Sequence, residues 1–361
     1  MNRDVVVIGA GPAGSAAALL LARRGWHVTL IEQHRFPRGK VCGECLSARG
    51  IESLTRMGLE PALRELRPTI LSHAAIYSGH SKPICLKLPA PMWGISRNLL
   101  DTFLLNSARD AGATLLQPAR CERIGPDTQV RVRMLESNEL RTLCPSWVIV
   151  ADGKGALLAN PPSSTHDFGI KTHLENVSGP SDTIELFGCN GLYGGLAAIE
   201  GGRWNAAFSV PVERIRRHRG NLQAVFDEIV DENRVLRDRL AKAHRIGQWI
   251  AAPLPRFPVT QRETSNVVPV GNAAAALEPI GGEGMGLALR SAELAVEAIT
   301  ADNPDLARSL VPAYREMWRY RRPFCRLSAS VISRPALAAA ALPIVRTLPY
   351  APVIALRLIG K

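Results

Sequence analysis

The sequence predicts an α/β fold in which a Rossmann-like dinucleotide-binding domain is interleaved with a β-sheet domain and followed by a helical C-terminus. Three observations predict it. A continuous apolar run, Asp4–Ile8, leads directly into a glycine-rich turn, Gly9-Ala10-Gly11-Pro12-Ala13-Gly14, as expected of a strand buried on both faces. A helix-forming stretch from Ser15 to Arg24 and a second apolar run, His27–Ile31, complete a β-α-β unit. Residues 68–95 and 165–262 then change character, with Thr183–Phe187 alternating apolar and polar. At 361 residues and 46% hydrophobic content, the chain can bury the core of one large or two interleaved domains.

Each element of the first unit has a physical task. Gly9 permits the tight turn, and Gly11 removes a side chain where backbone must approach a pyrophosphate. Gly14 lets helix and strand pack closely, while Pro12 and Ala13 open the helix. The helix N-terminus offers free N–H groups and a positive dipole end to phosphates. Gly25 ends the helix as a C-terminal cap. Glu32 closes the second strand, where a carboxylate accepts from both ribose hydroxyls. It disfavours a 2′-phosphate, so FAD or NAD fits better than NADP.

Four further segments carry a resemblance. They are Arg35-Phe-Pro-Arg38-Gly-Lys40-Val-Cys42-Gly43-Glu44-Cys45-Leu46, then Arg97-Asn-Leu-Leu-Asp101, then Val148-Ile-Val-Ala-Asp152-Gly153. The last runs from Val268-Pro-Val-Gly271-Asn272 to Glu278-Pro279-Ile-Gly281-Gly282-Glu283-Gly284-Met285-Gly286. In this order they resemble the geranylgeranyl reductase-like flavoproteins, which share a fold with the aromatic hydroxylases and flavin-dependent halogenases. The resemblance covers roughly residues 1–300. It implies a glutathione reductase-type FAD-binding domain, with FAD as cofactor. It places Arg38, Cys42 and Gly43 in the loop beside the flavin, Arg97 at its phosphate or ribityl chain, and Asp152 and Gly153 near the pyrophosphate. Pro279 to Gly286 become the loop whose backbone N–H groups stabilise the reduced ring. Gln33, next to Glu32, and Cys121 complete the candidate cofactor-binding set.

Two departures stand out. The family usually has Gly-Asp where this chain has Gly271-Asn272, so an uncharged amide replaces a carboxylate facing a ribityl hydroxyl. Of the aromatic motifs that reductases and halogenases carry above the flavin, Leu192-Tyr193-Gly-Gly-Leu-Ala-Ala-Ile199 retains only Tyr193. No lysine matches the halogenase catalytic lysine. The expected function is therefore an FAD-dependent oxidoreductase, a monooxygenase driven by transient NAD(P)H and acting on a lipophilic or polyketide-like small molecule. Reduction of a double bond in an isoprenoid lipid is the alternative. A non-catalytic FAD-binding protein at a membrane is the reading from another class. No second glycine-rich fingerprint offers a resident nicotinamide site. The cofactor carries the chemistry, so no side-chain acid or base is assigned. Glu283 is the first to test, against a reading as a solvated loop charge.

The expected organisation is a discontinuous FAD-binding domain of residues 1–67, 96–164 and 263–300, a substrate domain of 68–95 and 165–262, and a basic helical segment of 301–361. Within the substrate domain a β-hairpin is expected around Glu200-Gly201-Gly202-Arg203, and one helix over Leu222–Leu240. The net charge of +12 is uneven: eight basic residues and no acid lie between Met317 and Lys361. With no basic and aromatic platform, nucleic acid is not the expected partner. Residues 305–322 read as a helix, and Pro335, Pro343, Pro349 and Pro352 argue against one long helix beyond it. The tail reads as a wrap over the FAD domain or as a peripheral membrane contact. Seven irregularly spaced cysteines argue against a disulfide framework and for a reducing, cytoplasmic setting. Cys42 and Cys45 form a C-x-x-C that reads either as a redox dithiol or as a family cysteine with an incidental neighbour. No Cys or His pairs have metal-ligand spacing. No signal-peptide core or run of about 18 apolar residues occurs.

Overall fold

A computed structural model describes residues 3–78, 83–154, 156–158, 167–259, 266–301 and 306–347. Its first sheet has five parallel strands in the order Val267–Pro269, Trp147–Val150, Asp4–Ile8, His27–Ile31, Thr114–Leu116. The central strand shows why Asp4–Ile8 is continuously apolar. Val5 and Val7 pack with the helices Pro12–Ala22, Arg97–Asp110 and Gly284–Thr300. Val6 and Ile8 face the other way, onto a three-stranded antiparallel sheet of Ala119–Ile124, Val130–Met134 and Leu140–Leu143. With side chains alternating and both faces covered, Val5 to Ile8 are all buried in apolar surroundings, and only Asp4 at the strand's start is partly exposed.

The second sheet draws its strands from Thr69–Ser78, Ile84–Gly94 and the stretch from Asp167 to Pro253, with one short strand, Cys45–Leu46, added at its edge. That edge strand belongs to the loop that follows Glu32, so the loop physically joins the two sheets. The hairpin forms as expected: Leu192–Ala198 and Trp204–Pro211 pair antiparallel around Glu200–Gly202. The helix expected over Leu222–Leu240 is two helices, Leu222–Glu232 and Arg234–Leu240. Asn233 breaks it, because its side chain accepts from Leu236 N at 3.2 Å and caps the second helix instead of continuing the first.

The tail folds into three helices, Leu306–Trp318, Arg321–Ile332 and Pro335–Thr347. The stretch expected as one helix over 305–322 is therefore interrupted at Arg319 and Tyr320. Leu310, Tyr314, Met317 and Trp318 join the core of the first domain. Tyr314 Oη donates toward the carbonyls of Pro269 (3.1 Å) and Ser291 (3.2 Å), which fastens the first tail helix to the nucleotide side of the molecule. Pro349 and Pro352 lie outside the described residues. Among the described residues no helix is long and apolar enough to cross a membrane.

Candidate functional site

The glycine turn is built around one close approach. A Cβ on Gly14 would sit 1.8 Å from the carbonyl oxygen of Gly9, so only glycine lets the helix Pro12–Ala22 lie against the first strand. Gly9 itself holds φ at +101°. Glu32 ties the ends of the first two strands together: its carboxylate accepts from Ala10 N at 2.9 Å and from His34 N at 2.8 Å. Gln33, beside it, is exposed and bonds to His34 rather than to the turn.

Gly11, at the N-cap of that helix, is different. No side chain caps it. The nearest atoms to a Cβ there would be the guanidinium nitrogens of Arg97 at 3.8 Å and Arg38 at 3.9 Å. Arg97 is held by a bidentate pair with buried Asp101, both contacts 2.6 Å, one turn along its own helix. Arg38 lies 3.8 Å from Glu32 and 3.9 Å from Asp101, and its buried Nε has no hydrogen-bond partner. Lys40 joins them: burial, then the neighbouring charges of Arg97 and Arg38, push its ammonium down to about 8. Three cations and an uncapped helix start around an open glycine suit a diphosphate, which would relieve their mutual repulsion. On this observation the residues fit FAD.

A cavity of about 1210 Å³ begins at this cradle. Of the expected cofactor residues, Gly11, Pro12, Ala13, Cys42, Gly43, Arg97, Gly153, Gly271, Asn272, Pro279, Gly282, Glu283, Gly284 and Met285 line it. Asp152 turns away; its carboxylate accepts from Lys154 N (3.1 Å) and Ala156 N (2.9 Å) and shapes its own loop. Gly286 is required for packing: a Cβ there would meet Ser47 Oγ at 2.4 Å and Gly50 N at 3.0 Å, in and beside the helix Ala48–Arg56. Cys121 lies in the three-stranded sheet, in the core beneath the first sheet, where burial pushes its thiol up to about 11. Glu283 is no solvated loop charge. It is 3% exposed, 3.9 Å from Arg49. Cys42 and Cys45 both line the cavity, but their bonds diverge: Cys42 Sγ accepts from Glu44 N at 3.3 Å, and Cys45 donates to Gly43 O at 3.4 Å.

The structure adds a buried ionic cluster that no motif indicated. Glu44, fully buried, accepts from Lys171 Nζ, from His173 Nε2 at 2.6 Å and from Arg97 N at 2.7 Å. Lys171 is itself only 1% exposed. Burial pushes Glu44 up, but the His173 hydrogen bond and the Lys171 charge outweigh it and hold the carboxyl below its ordinary range. Lys171 and His173 lie two apart on one strand, so their shared face was legible. Their partner, more than a hundred residues earlier, was not. The cluster anchors the loop from Lys40 to Cys45 onto the second sheet.

Beyond that loop lies a second cavity of about 720 Å³, mostly apolar, lined by Ile184, Leu186, Leu196, Phe208 and the glycines Gly169, Gly194 and Gly195. It shares Val41, Cys42, Gly43, Cys45, Leu254, Pro279 and Gly282 with the first cavity. Tyr193 closes it, its buried hydroxyl donating to Glu278. Burial, reinforced by the Glu278 carboxylate, pushes that phenol well above its usual value, so Tyr193 is neutral.

Asn272 is exposed on the wall of the larger cavity. Restoring the carboxylate by Asn272→Asp is expected to tighten FAD binding about fivefold to tenfold, the difference between a neutral and a charge-assisted hydrogen bond. Flavin retention through dialysis, measured as the ratio of flavin to protein absorbance, checks this. Equal retention would mean that the amide serves the ribityl hydroxyl as well.

The model of the family described as "FAD binding domain" matches residues 2–302. A menaquinone reductase of Mycolicibacterium smegmatis is 27% identical over 318 residues, 82% of this chain and 76% of that protein. A digeranylgeranylglycerophospholipid reductase 2 of Methanopyrus kandleri is 25% identical over 334 residues, 88% of this chain and 82% of that one. Among solved structures the flavin-dependent brominase Bmp2 superposes with a TM-score of 0.83 at 18% identity, covering 99% of this chain and 93% of its own.

Proposed function

The chain belongs to the FAD binding domain family and is an FAD-dependent oxidoreductase, and from that premise we propose that it reduces a carbon–carbon double bond in the hydrocarbon chain of an isoprenoid lipid, with NAD(P)H as a transient reductant. The observation that supports this reading is the shared wall of the two cavities: a mostly apolar compartment adjoins the one whose cradle fits the flavin's diphosphate. The reductases among its relatives match over more than four-fifths of the chain, and their names concern a quinone and a phospholipid. Bound FAD supplies hydride transfer. The protein's part is position and dryness. Arg38, Lys40, Arg97 and the start of the helix Pro12–Ala22 hold the diphosphate. Gly194 lets the Phe208 ring lie against the strand, and Phe208 with Leu196 lines the apolar compartment and excludes water. Backbone N–H groups around Gly284, at the start of the helix Gly284–Thr300, favour negative charge on the reduced ring.

Hydroxylation is the second reading, and one observation favours it: the reductases' aromatic motif is reduced here to Tyr193 followed by two glycines. The two readings differ in product mass. The flavin-loaded protein, supplied with NADPH or NADH and geranylgeranyl lipids, is expected to yield products that have gained two hydrogens, with or without oxygen. Products that have gained an oxygen atom, formed only in air, would replace reduction by hydroxylation.

The basic tail fits peripheral contact with an anionic bilayer. Arg322, Arg326 and Arg334 are interspersed along the tail with Tyr320, Leu327 and Leu337, which are 50%, 61% and 47% exposed. The same assay with substrate in vesicles is expected to run faster on anionic than on zwitterionic ones, and to lose that advantage in high salt. Equal rates on both would remove the membrane from the reading.

A further inference from the structure

The three cations of the glycine cradle are not equivalent. Arg97 is fixed by its bidentate pair with Asp101, both contacts 2.6 Å. Arg38 stands 3.9 Å from the same carboxylate and 3.8 Å from Glu32, which already accepts from Ala10 N and His34 N. Lys40 has no carboxylate of its own among the described residues. Asp101 is the one whose charge reaches it, and both arginines share that carboxylate.

The groups that face the Lys40 ammonium are Arg38 and Cys42 from its own loop, and Arg97 and Asp101 from the helix Arg97–Asp110. The opposite loop presents backbone: a Cβ on Gly153 would sit 2.7 Å from Lys40 Nζ. The Asp152 carboxylate beside it accepts from Lys154 N and Ala156 N. On the side of the second sheet, Lys171 Nζ donates to the Lys40 carbonyl at 3.4 Å, and Glu44 balances that charge. Lys40 is therefore held in place with two guanidiniums against it.

A guanidinium stays charged in proteins, so neither arginine can relieve this crowding by losing a proton. Lysine is the member of the set that can. Burial, then the charges of Arg97 and Arg38, push its ammonium down to about 8. A diphosphate brings two negative charges to the same place and restores the preference for the protonated form.

We propose that FAD binding is coupled to a proton through Lys40: the protein without flavin releases the Nζ proton to solvent in alkaline solution, and the diphosphate draws one proton back. This rests on the placement of the diphosphate among Arg38, Lys40 and Arg97 given above. Below about pH 8 Lys40 is charged with or without FAD, and binding carries no net proton. Above it, binding takes up a proton, so affinity falls as pH rises.

Flavin fluorescence recovered on dilution of the flavin-loaded full chain gives Kd, measured from about pH 6.5 to about pH 9, and the slope of log Kd against pH counts the protons. Kd is expected to be level at neutral pH and to weaken by up to about tenfold per unit above about pH 8. Lys40→Arg carries a charge that does not titrate, so its Kd should stay level throughout. Lys40→Met should also be level, but about tenfold weaker than wild type near pH 7, for the loss of one charged contact. Cys42→Ser should keep the wild-type slope.

A wild-type Kd that is level to about pH 9 overturns the coupling, and that measurement needs no variant to fold. A slope that persists in Lys40→Arg overturns it as well, and a slope lost in Cys42→Ser gives the proton to the thiol instead. Lys40→Met separates this failure from failure of the diphosphate placement. If it weakens FAD near pH 7 while the wild-type slope is flat, the placement stands and only the coupling falls. If it binds FAD as tightly as wild type, Lys40 is no part of the cradle and both fall.

Discussion

Glu44→Gln is expected to destabilise the protein by about 3–5 kcal/mol, the usual result of stripping the partner from a buried charge. Three donors converge on this carboxylate, and one of them, Lys171, is only 1% exposed. An amide of the same shape accepts fewer of these bonds and neutralises none of the charge. Thermal unfolding would show the loss as a fall in Tm of about 4–7 °C. A change under about 1 kcal/mol would mean that water or a neutral lysine substitutes at little cost.

The pH dependence gives a second check. Because the folded-state pKa of Glu44 lies below its ordinary value of 4.5, its ionised form contributes full stability above about that pH. The contribution fades as pH falls through the lower folded value. The Tm gap between wild type and Glu44→Gln should therefore be constant near neutrality and narrow in acid. Replacing both charges, as Glu44→Leu with Lys171→Met, is expected to recover much of the loss, since a buried pair is weakly stabilising relative to well-packed apolar groups. Flavin content should fall with Glu44→Gln even at temperatures where the protein is folded, because the cluster anchors the loop from Lys40 to Cys45 along the cavity wall.

The two glycines of the turn should fail in different ways. Gly14→Ala places a methyl 1.8 Å from the Gly9 carbonyl oxygen, which is backbone, and 3.1 Å from the Ala151 Cβ. The helix must lift off the strand, so the protein is expected to be insoluble or to lose more than about 3 kcal/mol. Gly11→Ala meets no backbone, only two guanidiniums nearly 4 Å away. It should fold with an unchanged Tm in the flavin-free form. Its methyl, however, occupies the space between the helix start and Arg38 and Arg97, where the diphosphate belongs. Loss of one charge-assisted contact is expected to weaken FAD by about 1.5–3 kcal/mol, on the order of 10-fold to 100-fold in Kd. Circular dichroism and flavin titration on the two variants separate these outcomes. Full flavin affinity in Gly11→Ala would move the diphosphate away from this cradle.

The features that sequence alone determined are those whose cause is local. The tight turn, the close packing at Gly14 and the acid at Glu32 fall within one short stretch of chain, and each residue type is dictated by its immediate neighbours. The hairpin turn at Gly201 and Gly202 is of the same kind. Even the family's distant segments were legible, because each keeps its own local shape. The single helix over Leu222–Leu240 misled because hydrophobic period runs straight through Asn233, whereas the cap that breaks it is one hydrogen bond.

What only the tertiary structure decided depends on pairs far apart in the chain. Lys171 and His173 look like ordinary polar positions of a strand until Glu44 meets them. Glu283 looks solvated until the helix Ala48–Arg56 brings Arg49 beside it. Cys121 and Gly286 have no sequence mark that separates packing from binding, and the fold assigns both to packing. The larger cavity takes part of its wall from Trp318 and Cys325 in the tail, set opposite the glycine turn at the start of the chain. A charge or a void takes its meaning from what encloses it, and in this protein the enclosing surfaces come from segments that only the folded chain brings together.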